Sequence, residues 1–289
     1  MTQPGYDPND YCYRHPDRQS YILCQRCGRT ICPECQTAAP VGFQCPECMR
    51  EARQSAPRTK PAVVTRMRPS RLRSSDGPVV TYALMGVSVF VFLLQFVIPD
   101  GYLRVYPGVA AWVVPWGIVT AMFAHGGFLH LLTNMLSLYI FGRVLEPLLG
   151  RGRFLTLYLL SGLAGSVAYI LFATSFTGAV GASGAIFGLF GAYFVIARST
   201  GANATPIIAL IAINLAIGFL VPGIAWQAHL GGAAGGALVA LIMGRVRRRD
   251  QRRHLGLLLG AVAGGLLLLA LLPLAAPNLF PLGLLLTQG

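Results

Sequence analysis

Acidic side chains are scarce in this chain of 289 residues, and charge of any kind is thin: Asp and Glu number 10, and charged residues make up 11% against 54% hydrophobic. A soluble domain ordinarily carries about a quarter charged residues, so the composition excludes an ordinary water-soluble globule. Beyond residue 78 the only carboxylates are Asp100, Glu146 and Asp250. That shortage removes the acid that usually orients a catalytic histidine. It also removes the paired mid-depth charges of a small-solute transporter, whose internal repeats are missing as well. Cysteine is absent after Cys48, and the first 20 residues have no apolar core of the signal-peptide kind. The first hydrophobic span is therefore expected to act as the insertion signal.

What is abundant is apolar sequence in runs long enough to cross about 30 Å of hydrocarbon. Seven are legible: Val79 to Ile98, Phe128 to Leu145, Phe154 to Thr174, Gly181 to Ala197, Pro206 to Val221, Ile224 to Met243, and Leu255 to Leu272. The net charge of +13 is not spread in the manner of a nucleic-acid binder, and no nucleic acid is expected as a partner. Of 23 Lys and Arg, 12 precede the first span. The others are Arg104, then Arg143, Arg151, Arg153 and Arg198, and six in "GRVRRRDQRRH" after the sixth span. With the N-terminus in the cytoplasm all but Arg104 lie inside, as the positive-inside rule favours. The expectation is a multi-pass cell-membrane protein, N-terminus cytoplasmic and C-terminus external.

Residues 1–53 hold all seven cysteines, in four pairs with a spacing of two between members: Cys12/His15, Cys24/Cys27, Cys32/Cys35 and Cys45/Cys48. Eight ligands suffice for two tetrahedral zinc ions. A disulfide framework would need an oxidising compartment, and an odd cysteine count leaves one unpaired. A head this small has little to bury, so two structural Zn ions would supply most of its folding energy. Four protein ligands leave zinc no open position, which makes the head a binding or regulatory element whose protein partner is unspecified. The arrangement resembles a B-box or RING-like finger, which implies that pairs one and three hold one ion and pairs two and four the other; sequential pairing stays open. Residues 54–78 read as a basic flexible linker, whose charges either rest on anionic headgroups of the lipid bilayer or only fix orientation.

Polar groups at bilayer depth are functional by default. Here they are His130 and Asn134 on the second span with His125 just before it, Ser183 opening the fourth, Asn214 in the fifth and His229 early in the sixth. Spans two, four and six run in the same direction, so His130, Ser183 and His229 share one level near the external face. A hydroxyl becomes a nucleophile when a neighbouring imidazole takes its proton. With no acid at hand, a Ser/His dyad remains. "GASGA" is not a G-x-S-x-G elbow, since position 185 is Ala. His130, Asn134 and the Ser183 backbone N–H suit an oxyanion hole. Gly181, Gly184, Gly188 and Gly191 on the fourth span and Gly231, Gly232, Gly235 and Gly236 on the sixth are small faces that let helices approach closely, bringing Ser183 to His229. Arg143 and Glu146 are read as a structural ion pair, and Asn214 as structural.

At these residues the chain resembles the rhomboid intramembrane serine proteases: "HxxxxHxxxN" in His125, His130 and Asn134, "GASG" with Ser183, and "AHLGGxxGG" with His229. The resemblance implies an all-α polytopic membrane protein with a six-helix catalytic core at 79–245. A basic loop and seventh transmembrane helix at 246–289 and the small zinc-stabilised N-terminal domain complete the chain. It implies a serine endopeptidase cleaving transmembrane or juxtamembrane segments of membrane-protein substrates. Ser183 is then nucleophile, His229 base and acid, His130 and Asn134 oxyanion donors, and substrate enters laterally past the fifth span with no catalytic metal. The alternative is a catalytically inactive rhomboid-like binder of membrane helices. Two departures stand out: Trp116-Gly117 replaces a Trp-Arg pair, and Phe187 stands where a tyrosine is common beneath the histidine.

Overall fold

A computed structural model of the chain describes residues 8–39, 42–55, 77–174, 177–246 and 251–276. Most of the 54–78 linker, and the part of the basic loop at 247–250 with Asp250, lie outside the described residues. Two compact units emerge, Met1–Val64 and Thr65–Gly289.

In the first unit, β1 (Tyr11–Cys12) pairs antiparallel with β2 (His15–Gln19), and β3 (Thr37–Ala38) with β4 (Phe43–Gln44); α1 (Pro46–Ser55) follows. The buried cluster is Cys12, Cys24, Cys32, Cys35, Cys45 and Cys48 around the single aliphatic side chain of Ile31. Such a core has little apolar surface to remove from water, so side-chain burial alone cannot carry the fold.

The second unit is helical: α2 (Val79–Leu94), the short α3 (Gly117–Thr120), α4 (Phe128–Leu149), α5 (Arg151–Phe172), α6 (Ser183–Thr200), α7 (Thr205–Leu220), α8 (Trp226–Arg245) and α9 (Arg252–Ala275). The seven long helices fall on the seven apolar runs. By length and composition α4, α5, α8 and α9 can cross a membrane, and α2 and α7 are shorter apolar helices. The fold is that of an all-helical polytopic membrane protein.

The centre is α5, whose Phe154, Leu157, Tyr158 and Ile170 are fully buried. Against it α6 and α8 meet backbone to backbone. A Cβ at Gly232 would collide with the Gly184 carbonyl oxygen, and one at Gly236 with the Gly188 backbone. Without hydrophobic drive between helices in lipid, such contact through small residues is the main source of attraction.

The Arg143–Glu146 ion pair expected from sequence does not form. Glu146, 3% exposed, accepts from the backbone N–H groups of Val80 and Thr81 at 2.9 and 2.8 Å and from Thr81 Oγ1 at 2.7 Å. Arg143 instead donates to the Tyr139 hydroxyl at 2.7 Å. A helix start exposes unpaired N–H groups, and Pro78 at the α2 N-cap makes no side-chain cap. The buried carboxylate fills that role from a neighbouring helix, with three donors and the favourable end of the helix dipole.

Candidate active site

Ser183 is the first residue of α6, and the segment that delivers it is held from two sides. Val105 and Ala179 exchange backbone hydrogen bonds at 3.0 and 2.8 Å, and the Gly181 N–H donates to Ala121 O at 2.8 Å. Gly181 turns the chain at φ +132°, a conformation that favours glycine. As a first-turn residue, Ser183 has a backbone N–H with no acceptor inside its own helix.

His229 lies in the first turn of α8. Its Nε2 is 2.9 Å from Ser183 Oγ. The ring lies on Phe187, one helical turn after Ser183, with centroids 4.2 Å apart and planes 7° from parallel. Phe187 thus stacks as its position beneath the histidine suggested. His229 Nδ1 is buried, and among the described residues it has no hydrogen-bond partner. Among the described residues no carboxylate orients the pair from that nitrogen.

Across the gap, the Gly126 N–H donates to His130 Nδ1 at 3.2 Å. A neutral ring that accepts at Nδ1 carries its proton on Nε2. That nitrogen faces Gly181, where an added Cβ would lie 2.9 Å from it and 3.5 Å from Ser183 Oγ. Asn134, buried, donates one amide N–H to His130 O at 2.8 Å, leaving a second N–H. Ser183, His229, His130 and Asn134 all line one cavity of about 550 Å³.

Three side chains at or beside the cavity escaped the sequence reading, and a fourth that it named lines the cavity as well. Gln95, counted inside an apolar run, pairs its side-chain amide with both backbone groups of His125, accepting from its N–H at 2.9 Å and donating to its carbonyl at 3.1 Å. That holds the loop before α4, where the His125 ring meets His130 edge-on. Arg104, noted only as the exception to the charge pattern, lines the cavity and donates to Gly178 O at 2.8 Å. Ser137 lines it too, as does Asn214, read from sequence as merely structural. A lone amide or arginine beside a span was the available signal.

The model of the rhomboid domain matches residues 114–246. The rhomboid protease GluP of Bacillus subtilis (strain 168) is 37% identical over 135 residues, 45% of this chain and 26% of GluP. YdcA of the same strain, also named as a rhomboid, is 37% identical over 142 residues, 47% of this chain and 70% of its own. The chain belongs to the rhomboid family. RHOMBOID-like protein 2 of Arabidopsis thaliana is 40% identical over 134 residues, 44% of this chain and 42% of that protein. This rhomboid thus spans less than half the length of two of the three relatives.

The Trp-Gly departure in this rhomboid has a steric cause. A Cβ at Gly117 would collide with the Arg104 carbonyl oxygen, so position 117 has no room for a side chain. Trp116 Nε1 donates to Tyr102 O at 2.7 Å.

The head lies outside the matched residues, and its eight candidate ligands gather in two clusters that could each hold a metal ion: Cys12, His15, Cys32 and Cys35, and Cys24, Cys27, Cys45 and Cys48. His15 Nδ1 is 3.8, 3.4 and 3.5 Å from the sulfurs of Cys12, Cys32 and Cys35, and the sulfurs of Cys27 and Cys45 are 3.8 Å apart. Bond lengths of about 2.1 to 2.3 Å give a tetrahedron with edges of roughly 3.5 to 3.8 Å, so both sets fit one ion each. The electrostatics agree. Burial and neighbouring thiols push Cys35 up to about 11 and Cys48 up to about 12. Burial also opposes ionisation of Cys12 and Cys24, but backbone donors bring both down to about 6. Four sulfurs so crowded need a dication before all can ionise. Arg29 supplements the second set, donating to Cys27 Sγ at 3.3 Å and Cys45 Sγ at 3.6 Å.

Proposed function

We propose that this rhomboid is an intramembrane serine endopeptidase that cuts transmembrane or juxtamembrane segments of membrane proteins. The observation that carries the reading is the 2.9 Å contact between His229 Nε2 and Ser183 Oγ. As Oγ attacks the scissile carbonyl carbon, its proton passes to His229 Nε2, and the carbonyl oxygen becomes an oxyanion. His130 Nε2–H, the second Asn134 N–H and the Ser183 N–H are the donors for it, each about 3 to 4 kcal/mol in such a role. The imidazolium then protonates the leaving amine, and the carbon–nitrogen bond breaks to leave an acyl ester on Ser183. A water that gives its proton to His229 hydrolyses the ester, and His229 returns that proton to Ser183. Phe187 holds the imidazole plane through the cycle.

The N-terminus is cytoplasmic in this reading, since the basic residues then cluster inside. The head binds two zinc ions in the interleaved arrangement, as structural centres. Labelling of the purified protein by a hydroxyl-directed fluorophosphonate, lost in Ser183→Ala, tests the dyad. Cleavage of a transmembrane substrate separates the protease from a helix binder that does not cut. Absence of both labelling and cleavage in a folded protein favours the binder.

A further inference from the structure

The cavity holds polar groups that the dyad and oxyanion donors do not use. Ser137 follows His130 by seven residues and Asn134 by three, so the three share one face of α4. Asn214 contributes from α7 to the same cavity. Its Nδ2 donates to Leu210 O at 2.9 Å, which leaves the second N–H and Oδ1, one donor and one acceptor. Ile186 and Phe190 supply apolar wall beside them, where a hydrogen bond is stronger and an unpaired polar group more costly than in water.

We propose that Asn214, with Ser137, forms a second polar subsite that binds an amide group of the substrate segment inside the cavity. The inference rests on the reading of that cavity as a substrate site. A peptide bond within a continuous helix is shielded by its own turn. Opening the helix to reach Ser183 strips N–H and C=O groups of their intrahelical partners, and beside the apolar wall of the cavity those groups gain most from a fixed polar partner. A carboxamide offers the matching donor and acceptor, and the molecule already shows the pairing: Gln95 engages the N–H and C=O of His125 in this way. The amide comes either from the opened substrate main chain or from a substrate Asn or Gln side chain.

Binding, measured without turnover, tests it. Full-length Ser183→Ala protein in detergent micelles is titrated with three fluorescent transmembrane peptides: one broken by a central Gly-Gly, one continuous with a central Asn, one continuous and wholly apolar. Adding Asn214→Leu is expected to raise Kd for the Gly-Gly peptide about tenfold if the main chain is the source, or for the Asn peptide if the side chain is. Asn214→Gln, which keeps the amide, stays within about threefold, and Ser137→Ala weakens binding in the same sense by about threefold. The apolar peptide controls for folding, since its affinity does not change. Equal Kd values for the Gly-Gly and Asn peptides with and without Asn214→Leu overturn the proposal. Failure of the protease reading shows separately, as absent fluorophosphonate labelling of the chain with Ser183 intact.

Discussion

His229 lies flat on Phe187, centroids 4.2 Å apart, while its edge meets Ser183 one helical turn earlier on the same helix. One face of α6 thereby fixes both the plane and the reach of the imidazole, a task usually shared with a carboxylate. With no such partner on Nδ1 among the described residues, the stack bears more of the orientation. Aromatic pairs contribute about 0.5 to 1.5 kcal/mol beyond burial. Phe187→Ala is expected to slow fluorophosphonate labelling about tenfold, the rate equivalent of roughly 1.4 kcal/mol, whereas Phe187→Tyr stays near the parent. Equal rates in all three proteins refute an orienting role.

Close backbone contact predicts a sharp contrast between glycines. Gly236 meets the Gly188 backbone, while Gly264 on α9 has open space. Gly236→Ala forces α6 and α8 apart, at about 1 to 3 kcal/mol for overpacking, and is expected to lower both thermal stability and labelling. Gly264→Ala leaves both unchanged.

The Glu146 cap predicts that the carboxylate, not its neighbour Arg143, carries stability. Glu146→Ala strands the donors of Val80 and Thr81, at about 1 to 3 kcal/mol for each buried group left unpaired. Thermal unfolding in detergent is expected to shift down by several degrees. Arg143→Ala, which removes an exposed contact to Tyr139, shifts it by less than about 1 °C, within the range usual for surface changes.

Metal content decides the pairing of the head. Zinc analysis of the full chain is expected to give two ions, both removed by a strong chelator with loss of head structure. Cys12→Ser with Cys35→Ser should cost one ion, because both belong to one cluster. Cys12→Ser with Cys24→Ser should cost two. Sequential pairing gives the reverse: two ions lost from the first variant, one from the second.

Much of the membrane unit was legible because hydrocarbon imposes a length and a composition that a sequence displays directly. The runs beginning at Val79 and Phe128 start where α2 and α4 start. Their ends were less visible: the first run reads on to Ile98, yet α2 stops at Leu94, and Gln95 turns aside to hold His125. Among site residues, those with unusual chemistry at unusual depth were visible one by one. Glu146 was visible too, but was matched to the wrong partner. Spacing of three suggested Arg143, whereas burial favoured the unpaired N–H groups of a helix distant in sequence.

From its order of residues alone, this chain fixed the number and placement of its long helices, the four Cys/His pairs of its head and the rarity of acids, because each follows from local composition and from spacing along the backbone. Which groups share a cavity was decided only in three dimensions. The distance between Ser183 and His229 and the seat of the Glu146 carboxylate beneath α2 depend on helices closing on one another through glycine, and Asn214 joins the same cavity from α7. The glycine faces of α6 and α8 mark that approach in the sequence, but the distances it produces are set by the fit of surfaces many residues apart.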